Sequence, residues 1–280
     1  MNASVIHIIV LTVALVSIVL LMVFRRRQTA KSYQRLAEEA EQSKQQIIIE
    51  QQRNQQLKQE MTNNISHELK TPVSSILGYL EILLGDKPLD DEKRRYFLER
   101  CNQQAHRLSD LIRDVSLINK LEESADLFPL ETLSLRAVAD EAIHDLSDKA
   151  ASQKISIYNN LSESLVINGN HSLLYAIFRN LVENAISYAG SEVTVCVECY
   201  KTDDTHYYLH FYDTGCGVDN QYLSRIFDRF LRIDQGRSRK SGGTGLGLSI
   251  VKHAVQFHSG NIYAKNRDNG GLEFFFSLRK

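Results

Sequence analysis

Hydrophobic and polar positions are arranged in four different ways along the 280 residues of the chain. An almost purely apolar run comes first, and a polar, helix-favouring stretch follows it. Apolar residues then recur every three or four positions, which is typical of amphipathic helices. In the last part, short strand-like runs alternate with helical ones. The pattern predicts a membrane anchor (1–24), a juxtamembrane signalling helix (25–60), a helical domain (61–123) and an α/β domain (124–280).

The apolar run from Val5 to Phe24 contains no charged residue and is about as long as a helix that spans a bilayer. Arg25, Arg26 and Arg27 follow directly, so the positive-inside rule places the rest of the chain in the cytoplasm. A cleaved signal peptide is the alternative, but it would carry its positive charges before the apolar run. We therefore expect an N-terminal transmembrane helix that crosses the membrane once, through residues 5–24.

Residues 31–59 contain neither glycine nor proline and keep apolar residues at approximate heptad steps. This stretch predicts a weak coiled coil, or else a solvated spacer helix, between the anchor and the helical domain.

The helical domain has the pattern of a hairpin. Its first arm ends near Leu84, a turn rich in Gly, Asp and Pro covers residues 85–90, and its second arm runs over about residues 91–121. One hairpin cannot cover its own apolar faces well, whereas two copies form a four-helix bundle, so a homodimer is predicted. The predicted buried stripes are Ile65, Leu69, Val73, Ile76, Leu80 and Leu83 in the first arm, and Phe97, Cys101, Ala105, Leu108, Ile112, Val115 and Ile118 in the second.

Beyond Pro129 the pattern predicts an α+β sandwich, in which a sheet carries helices on one face. The predicted helices cover 135–153, 171–188 and 246–258, and the predicted strands cover 155–160, 192–200, 207–212, 261–265 and 271–278.

Composition narrows the function classes. The chain has 33 basic and 34 acidic residues and a net charge of −1, which argues against a nucleic-acid partner. The four cysteines lack the spacing of a disulfide framework or of a zinc site.

One histidine has an unusual setting. His67 is two positions from both Ile65 and Leu69, so it points away from the apolar stripe of its helix. Thr71 lies four residues later and shares the face of His67. Pro72 cannot donate a backbone hydrogen bond, so we expect the helix to bend there.

The string Ser66-His67-Glu68-Leu69-Lys70-Thr71-Pro72 resembles the H box of the membrane-bound sensor histidine kinases of two-component systems. In that family the histidine accepts a phosphoryl group from ATP. The resemblance implies that His67 is the phosphoacceptor and that Glu68 takes its ring proton. It also implies that Thr71 orients water when the enzyme dephosphorylates its partner.

Two asparagines on one helix face resemble the N box of the same family. Asn180 and Asn184 are four residues apart, and amide oxygens are suitable ligands for Mg²⁺. By themselves, two such residues are more often simple solvent contacts. The resemblance implies that Asn184 binds Mg²⁺ and that Asn180 supports the phosphates of ATP.

Two glycine-rich strings complete the resemblance. Asp213-Thr214-Gly215-Cys216-Gly217 resembles the first glycine box, with a carboxylate for the adenine amino group and glycines for close approach of the base. The string from Gly243 to Leu248 resembles the second, where free N–H groups at a helix start can hold phosphate. Between them lie an F box at residues 226–230 and a basic lid at 231–242. The resemblance assigns ATP binding to Asn180, Asn184, Tyr188, Asp213, Gly215, Gly217, Phe227, Arg229, Arg232, Gly243, Thr244, Gly245, Leu246, Gly247 and Leu248.

The chain also departs from the family pattern. Related ATPases carry a glutamate where this chain has Asn180, and an asparagine cannot act as a base for water. Glu183 is expected on a different helix face. Ser187 replaces a common lysine and Asn170 a common aspartate, so we expect weaker phosphate clamping, compensated by Arg229 or Arg232.

The expected fold is therefore α+β, with a dimeric helical-hairpin domain and a sandwich of the histidine kinase/Hsp90-like ATPase type. The expected function is ATP- and Mg²⁺-dependent autophosphorylation of His67, followed by transfer to an aspartate in the receiver domain of a response regulator. Phosphatase activity toward that regulator is expected too, and the expected location is the bacterial inner (cytoplasmic) membrane. A membrane-tethered scaffold that binds ATP without transferring phosphate, and a stand-alone ATPase, are the alternatives.

Overall fold

A computed structural model describes residues 3–85, 88–123, 128–233 and 243–280. The chain divides into two compact units, one that ends at Thr62 and one that runs from Asn63 to Lys280. Helix α1 (Ala3–Leu84) supplies the described part of the first unit and the first helix of the second. Within the described ranges, no helix combines the length and the apolar character needed to cross a membrane.

The predicted hairpin is present in the second unit. Its arms are the last part of α1 and helix α2 (Asp91–Glu123). Asp90 caps α2, because its carboxylate accepts a hydrogen bond of 2.7 Å from the backbone N–H of Lys93. Pro72 lies inside α1 without ending it. Residues 86 and 87 of the predicted turn lie outside the described residues.

The apolar stripes of the hairpin are only partly covered in the single chain. Val73 is 41% exposed and Ile112 is 54% exposed, although both belong to the predicted buried stripes. This exposure agrees with the expectation that one hairpin cannot cover its own apolar faces.

The C-terminal domain contains seven strands and five helices within the described residues. The strands are β1 (Glu131–Ser134), β2 (Ser156–Asn159), β3 (Val166–Gly169), β4 (Thr194–Thr202), β5 (His206–Asp213), β6 (Ile262–Asn266) and β7 (Leu272–Arg279). The helices are α3 (Leu135–Asp145), α4 (Ser147–Ser152), α5 (His171–Tyr188), α6 (Asn220–Leu223) and α7 (Gly247–Phe257).

Two details of the predicted elements are wrong. The helix predicted over 135–153 is interrupted at Leu146, which leaves α3 and α4 as separate helices. Strands β1 and β3 were not predicted, because each has four residues and they pair with each other rather than with the main sheet.

The main sheet has the strand order β2-β4-β5-β7-β6. The β2–β4 pair is parallel and the other pairs are antiparallel. Its buried face packs against α3, α5 and α7, with Phe211 and Phe274 among its fully buried side chains. The predicted sandwich is thereby confirmed, and its helical layer brings the start of α7 next to α5.

Candidate functional site

His67 is exposed on α1, and its backbone carbonyl accepts a hydrogen bond of 3.3 Å from the Thr71 hydroxyl. The exposed position agrees with the helical spacing, which places His67 opposite the apolar stripe. The imidazole is therefore open to a group that approaches from outside the hairpin.

Glu68, the neighbour of His67, contacts two arginines. Its Oε2 lies 3.1 Å from Nη2 of Arg107 in α2 and 3.4 Å from Nη1 of Arg232 in the C-terminal domain. All three side chains are largely buried. The ion pair with Arg232 joins the helical hairpin to the domain that carries the glycine boxes.

A cavity of about 560 Å³ opens in the C-terminal domain. It lies between α5, the segment after β5 and the residues that lead into α7. Its volume is within the range of small-molecule sites, roughly 300–1,000 Å³. Ten of the predicted ATP-binding residues line it: Asn180, Asn184, Tyr188, Gly217, Arg232, Gly243, Thr244, Gly245, Gly247 and Leu248.

The two asparagines of the N box lie on the α5 side of this cavity. Nδ2 of Asn180 donates a hydrogen bond of 2.8 Å to the carbonyl of Ala176. Its Oδ1 faces the start of α7, where a Cβ added to Gly247 would lie 2.6 Å from it. A larger residue at position 247 would therefore displace Asn180.

The donor set fits a magnesium ion that a nucleotide brings with it. Asn184 offers an amide oxygen, and hard oxygen ligands combined with substrate phosphates are the usual setting of Mg²⁺. Among the described residues no group of three or more His, Cys, Asp or Glu side chains could hold a metal ion. The phosphates would therefore have to supply part of the coordination.

The second glycine box forms the entry to α7. Gly245 has a φ of +73°, which favours glycine, and its carbonyl accepts a 2.8 Å hydrogen bond from the N–H of Phe230. The helix then begins at Gly247, with its free N–H groups at the cavity. A helix therefore begins at the second glycine box, as the sequence predicted, and N–H groups at a helix start are suited to anionic groups.

Asp213 of the first glycine box lies beneath the cavity and is 3% exposed. Burial raises the pKa of its carboxyl, while hydrogen bonds from the N–H groups of Gly215 and Leu272 oppose this shift. These two bonds use Oδ1 and fix the side chain at the end of β5.

The glycines of this box have packing roles that the sequence did not indicate. A Cβ on Gly215 would lie 2.2 Å from the carbonyl oxygen of Ala189, at the end of α5. A Cβ on Gly217 would lie 2.7 Å from Oδ1 of Asn266. Their small size therefore serves contacts within the domain, and of the two only Gly217 lines the cavity.

Five predicted ATP-binding residues do not line the cavity: Asp213, Gly215, Phe227, Arg229 and Leu246. Phe227 packs edge-on against the buried Phe274, with ring centroids 6.2 Å apart. Nη2 of Arg229 lies 2.9 Å from Nε2 of His253 on α7. Leu246 is fully buried. In this structure Phe227 and Arg229 of the F box therefore make contacts within the domain, whereas Arg232 reaches the cavity itself.

Besides Asn180, two residues were singled out as departures, and they have different settings. Ser187 lines the cavity. Asn170 does not line it and instead caps α5, where it accepts from the N–H of Leu173 and donates to the carbonyl of Pro129 at 2.9 Å. An ionised aspartate could not make the second bond, so Asn170 serves the fold rather than phosphate.

Glu183 was expected on a different helix face, but it lines the cavity. Its carboxylate pairs with Lys149 at 2.8 Å and approaches Arg179 at 3.7 Å. These two cations hold it at the rim of the cavity.

Asp114 is a site residue that the sequence did not reveal. It lies on α2, is 9% exposed and accepts a hydrogen bond of 2.8 Å from the hydroxyl of Thr244. Burial raises its pKa to about 6, although Thr244 and the nearby Arg179 oppose the shift. No local motif marks Asp114, because its partner is 130 residues away in the chain.

The other cavity residues were not among the predicted ATP-binding residues: Gln153, Ile186, Gly190, Cys216, Val218, Asp219, Ile226, Leu231, Ile233 and Leu272. Cys216 belongs to the first glycine box, Ile226 to the F box, and Leu231 and Ile233 to the predicted lid. Most of the predicted lid, residues 234–242, lies outside the described residues.

Two family models match the chain. Residues 57–124 match HisKA, the His Kinase A (phospho-acceptor) domain. Residues 169–280 match HATPase_c, the histidine kinase-, DNA gyrase B- and HSP90-like ATPase family. The first match contains His67 and the second contains the cavity residues from Asn180 to Leu248.

Curated relatives agree with these matches. The sensor-like histidine kinase SenX3 of Mycolicibacterium smegmatis is 33% identical over 221 residues, which are 79% of this chain and 57% of SenX3. The phosphate regulon sensor protein PhoR of Pseudomonas aeruginosa is 32% identical over 222 residues, 79% of this chain and 49% of PhoR. The chain thus spans about half the length of these relatives.

Solved structures share the fold. Histidine kinase ThkA in complex with the response regulator protein TrrA has a TM-score of 0.62 and 22% identity, over 79% of this chain and 61% of ThkA. Full-length ShkA in complex with AMPPNP has a TM-score of 0.57 and 25% identity, over 78% of this chain and 45% of ShkA.

Proposed function

Since the chain belongs to the sensor histidine kinases of two-component systems, we propose that it is an ATP-dependent protein-histidine kinase that phosphorylates itself on His67. One observation carries the proposal: Arg232, which lines the cavity, also contacts Glu68, the neighbour of the exposed His67. The nucleotide cavity and the candidate phosphoacceptor therefore belong to one compact unit.

In the proposed reaction, ATP binds in the cavity with its phosphates toward the start of α7. A ring nitrogen of His67 then forms a bond to the γ-phosphorus, while the bond from that phosphorus to the bridging oxygen breaks. ADP leaves with the bonding electron pair, and the other ring nitrogen passes its proton to Glu68. Such transfer depends mainly on alignment and on neutralisation of the phosphate charge. Arg232 and the N–H groups of the second glycine box would neutralise part of the phosphate charge.

A magnesium ion that accompanies ATP would neutralise phosphate charge, and we propose Asn184 as its protein ligand. Asn180 would hold the start of α7 in register with the phosphates. No carboxylate stands at position 180 to activate water, which favours transfer to His67 over hydrolysis.

We further propose that phospho-His67 passes its phosphoryl group to an aspartate of a response regulator, and that Thr71 orients water for the opposing activity, hydrolysis of the phosphoaspartate. The histidine kinase ThkA, which shares the fold of this chain, was crystallised in complex with the response regulator protein TrrA. That complex is consistent with such a partner. The half-exposed stripes of the hairpin, including Val73 and Ile112, favour a homodimer that covers them.

We also propose, from the sequence, that residues 5–24 attach the chain to a membrane. The uncharged residues 5–24 and the three arginines after them favour an anchor in the bacterial inner membrane, with residues 25–60 as the signalling helix and the kinase in the cytoplasm. Alkaline extraction of membranes tests the anchor, because a peripheral protein is released and an anchored one is not.

An ATP-binding scaffold without kinase activity is the second candidate, and an ATPase is the third. Incubation with γ-labelled ATP separates them by the destination of the phosphate. A kinase retains label on the protein, an ATPase releases labelled phosphate, and a scaffold leaves labelled ATP unchanged. Label on the protein that then moves to a receiver domain supports the proposal, and either of the other outcomes rejects it.

A further inference from the structure

Glu68 contacts two arginines, and only the contact with Arg232 depends on the position of the ATP-binding domain. Arg232 belongs to the domain that binds ATP and lines its cavity, so a bound nucleotide competes with Glu68 for this guanidinium. Arg107 belongs to α2, the second arm of the same hairpin that carries Glu68. Its contact with Glu68 does not depend on where the ATP-binding domain lies.

The Arg107–Glu68 pair is well shielded from water. The Nη2–Oε2 distance is 3.1 Å, and the side chains are 16% and 27% exposed. A guanidinium holds a carboxylate by a planar array of donors, which fixes the direction of the carboxylate. Loss of one partner from such a shielded pair leaves the other charge uncompensated.

We propose that Arg107 is a positioning residue for phosphorylation of His67, and that it keeps the Glu68 carboxylate oriented after Arg232 turns to the nucleotide. This inference rests on the proposed kinase function. Arg107 does not touch ATP in this scheme. It acts on the rate of transfer through Glu68, which receives the ring proton of His67 as the nitrogen–phosphorus bond forms.

The test uses the full chain and measures initial label incorporation from γ-labelled ATP at several ATP concentrations. Arg107→Gln and Arg107→Met should lower the rate at saturating ATP by about tenfold or more and leave KM within about twofold, because general-base help is lost while binding is kept. Arg107→Lys should recover part of the rate, since it keeps the positive charge. Arg95→Gln is the matched control, because Arg95 is an exposed α2 arginine paired with Glu99 one helical turn away.

A double-mutant cycle with Glu68→Gln identifies the route of the effect. If Arg107 acts through Glu68, Arg107→Gln should slow the Glu68→Gln chain by less than about twofold. Equal slowing in both backgrounds, a normal rate in Arg107→Gln, or a raised KM with a normal maximal rate would overturn the proposal. If Arg107→Gln does not unfold cooperatively, the same comparisons with Arg107→Met and Arg107→Lys decide. A wild-type chain that takes up no label would instead reject the kinase function itself.

Discussion

The hydroxyl of Thr244 donates a hydrogen bond of 2.8 Å to the carboxylate of Asp114, and so ties the second glycine box to helix α2 of the hairpin. Thr244 also accepts from the N–H of Leu246 at 3.2 Å, just before α7 begins. A carboxylate and a phosphate repel each other, so ATP at this helix start competes with the docked position of Asp114. We therefore expect a bound nucleotide to weaken this bond.

The substitution Asp114→Asn should make the free energy of unfolding less sensitive to pH. Burial raises the Asp114 pKa from 3.8 to about 6, so the native state binds a proton more tightly than the unfolded chain does. Stability from this group is therefore fully present below about pH 4 and is lost as pH rises through about 6. The pKa of Asp114 also depends on four neighbouring groups: Thr244, Arg179, Asp110 and Glu183.

Urea unfolding of wild type and Asp114→Asn between pH 4 and 7 tests this. The neutral asparagine side chain keeps an oxygen that can accept the hydrogen bond from Thr244, but it carries no charge whose burial depends on pH. The free energy of unfolding of the variant, relative to wild type, should rise by roughly 2 kcal/mol across this range. Parallel pH profiles would show that Asp114 is not shielded as described.

Arg232→Ala should weaken ATP binding more than Arg229→Ala does. Arg232 lines the cavity, whereas Nη2 of Arg229 lies 2.9 Å from His253. Loss of one charge-assisted hydrogen bond, worth about 1.5–3 kcal/mol, corresponds to roughly a tenfold or greater rise in the Kd of ATP. Titration calorimetry with ATP and Mg²⁺ gives both values. An equal rise in the Kd of ATP in both variants would mean that Arg229 turns into the cavity when ATP binds. An unchanged Kd in both variants would reject the hypothesis that these arginines compensate for the serine at position 187.

Gly247→Ala should weaken ATP binding without unfolding the domain. The added methyl group would lie 2.6 Å from Oδ1 of Asn180, which must move away from the phosphate end of the cavity. Overpacking of this kind costs about 1–3 kcal/mol, so we expect the Kd of ATP to rise by about tenfold. Gly78→Ala is the control, because nothing lies within 4 Å of its added Cβ. An unchanged Kd in Gly247→Ala would contradict the placement of Asn180.

Thr71→Ala should abolish dephosphorylation of the regulator and preserve autophosphorylation. The Thr71 hydroxyl is exposed and bonds only weakly, at 3.3 Å, to the carbonyl of His67, so its removal should cost little stability. Ser75→Ala is a matched control, because Ser75 makes the same kind of bond to the carbonyl of Thr71 one turn later. Decay of a phosphorylated receiver domain is the measurement. Loss of both activities in Thr71→Ala would contradict its assignment.

Long periodic elements could be predicted from the sequence, whereas tertiary pairings could not. The helix predicted at 171–188 is α5 itself, because its apolar periodicity is sustained over five turns. The short β1–β3 pair joins residues that are distant in the chain, so the local pattern could not reveal it. Motifs located ten of the residues that line the cavity, but they could not show that Arg229 turns to His253 or that Asp114 reaches Thr244.

The most direct test of the account is where the label from γ-labelled ATP goes in His67→Gln. His106→Gln is the matched control, because His106 is also an exposed histidine of the helical hairpin. The account predicts acid-labile, base-stable label on wild type and on His106→Gln, and none on His67→Gln. Undiminished label on His67→Gln would contradict it.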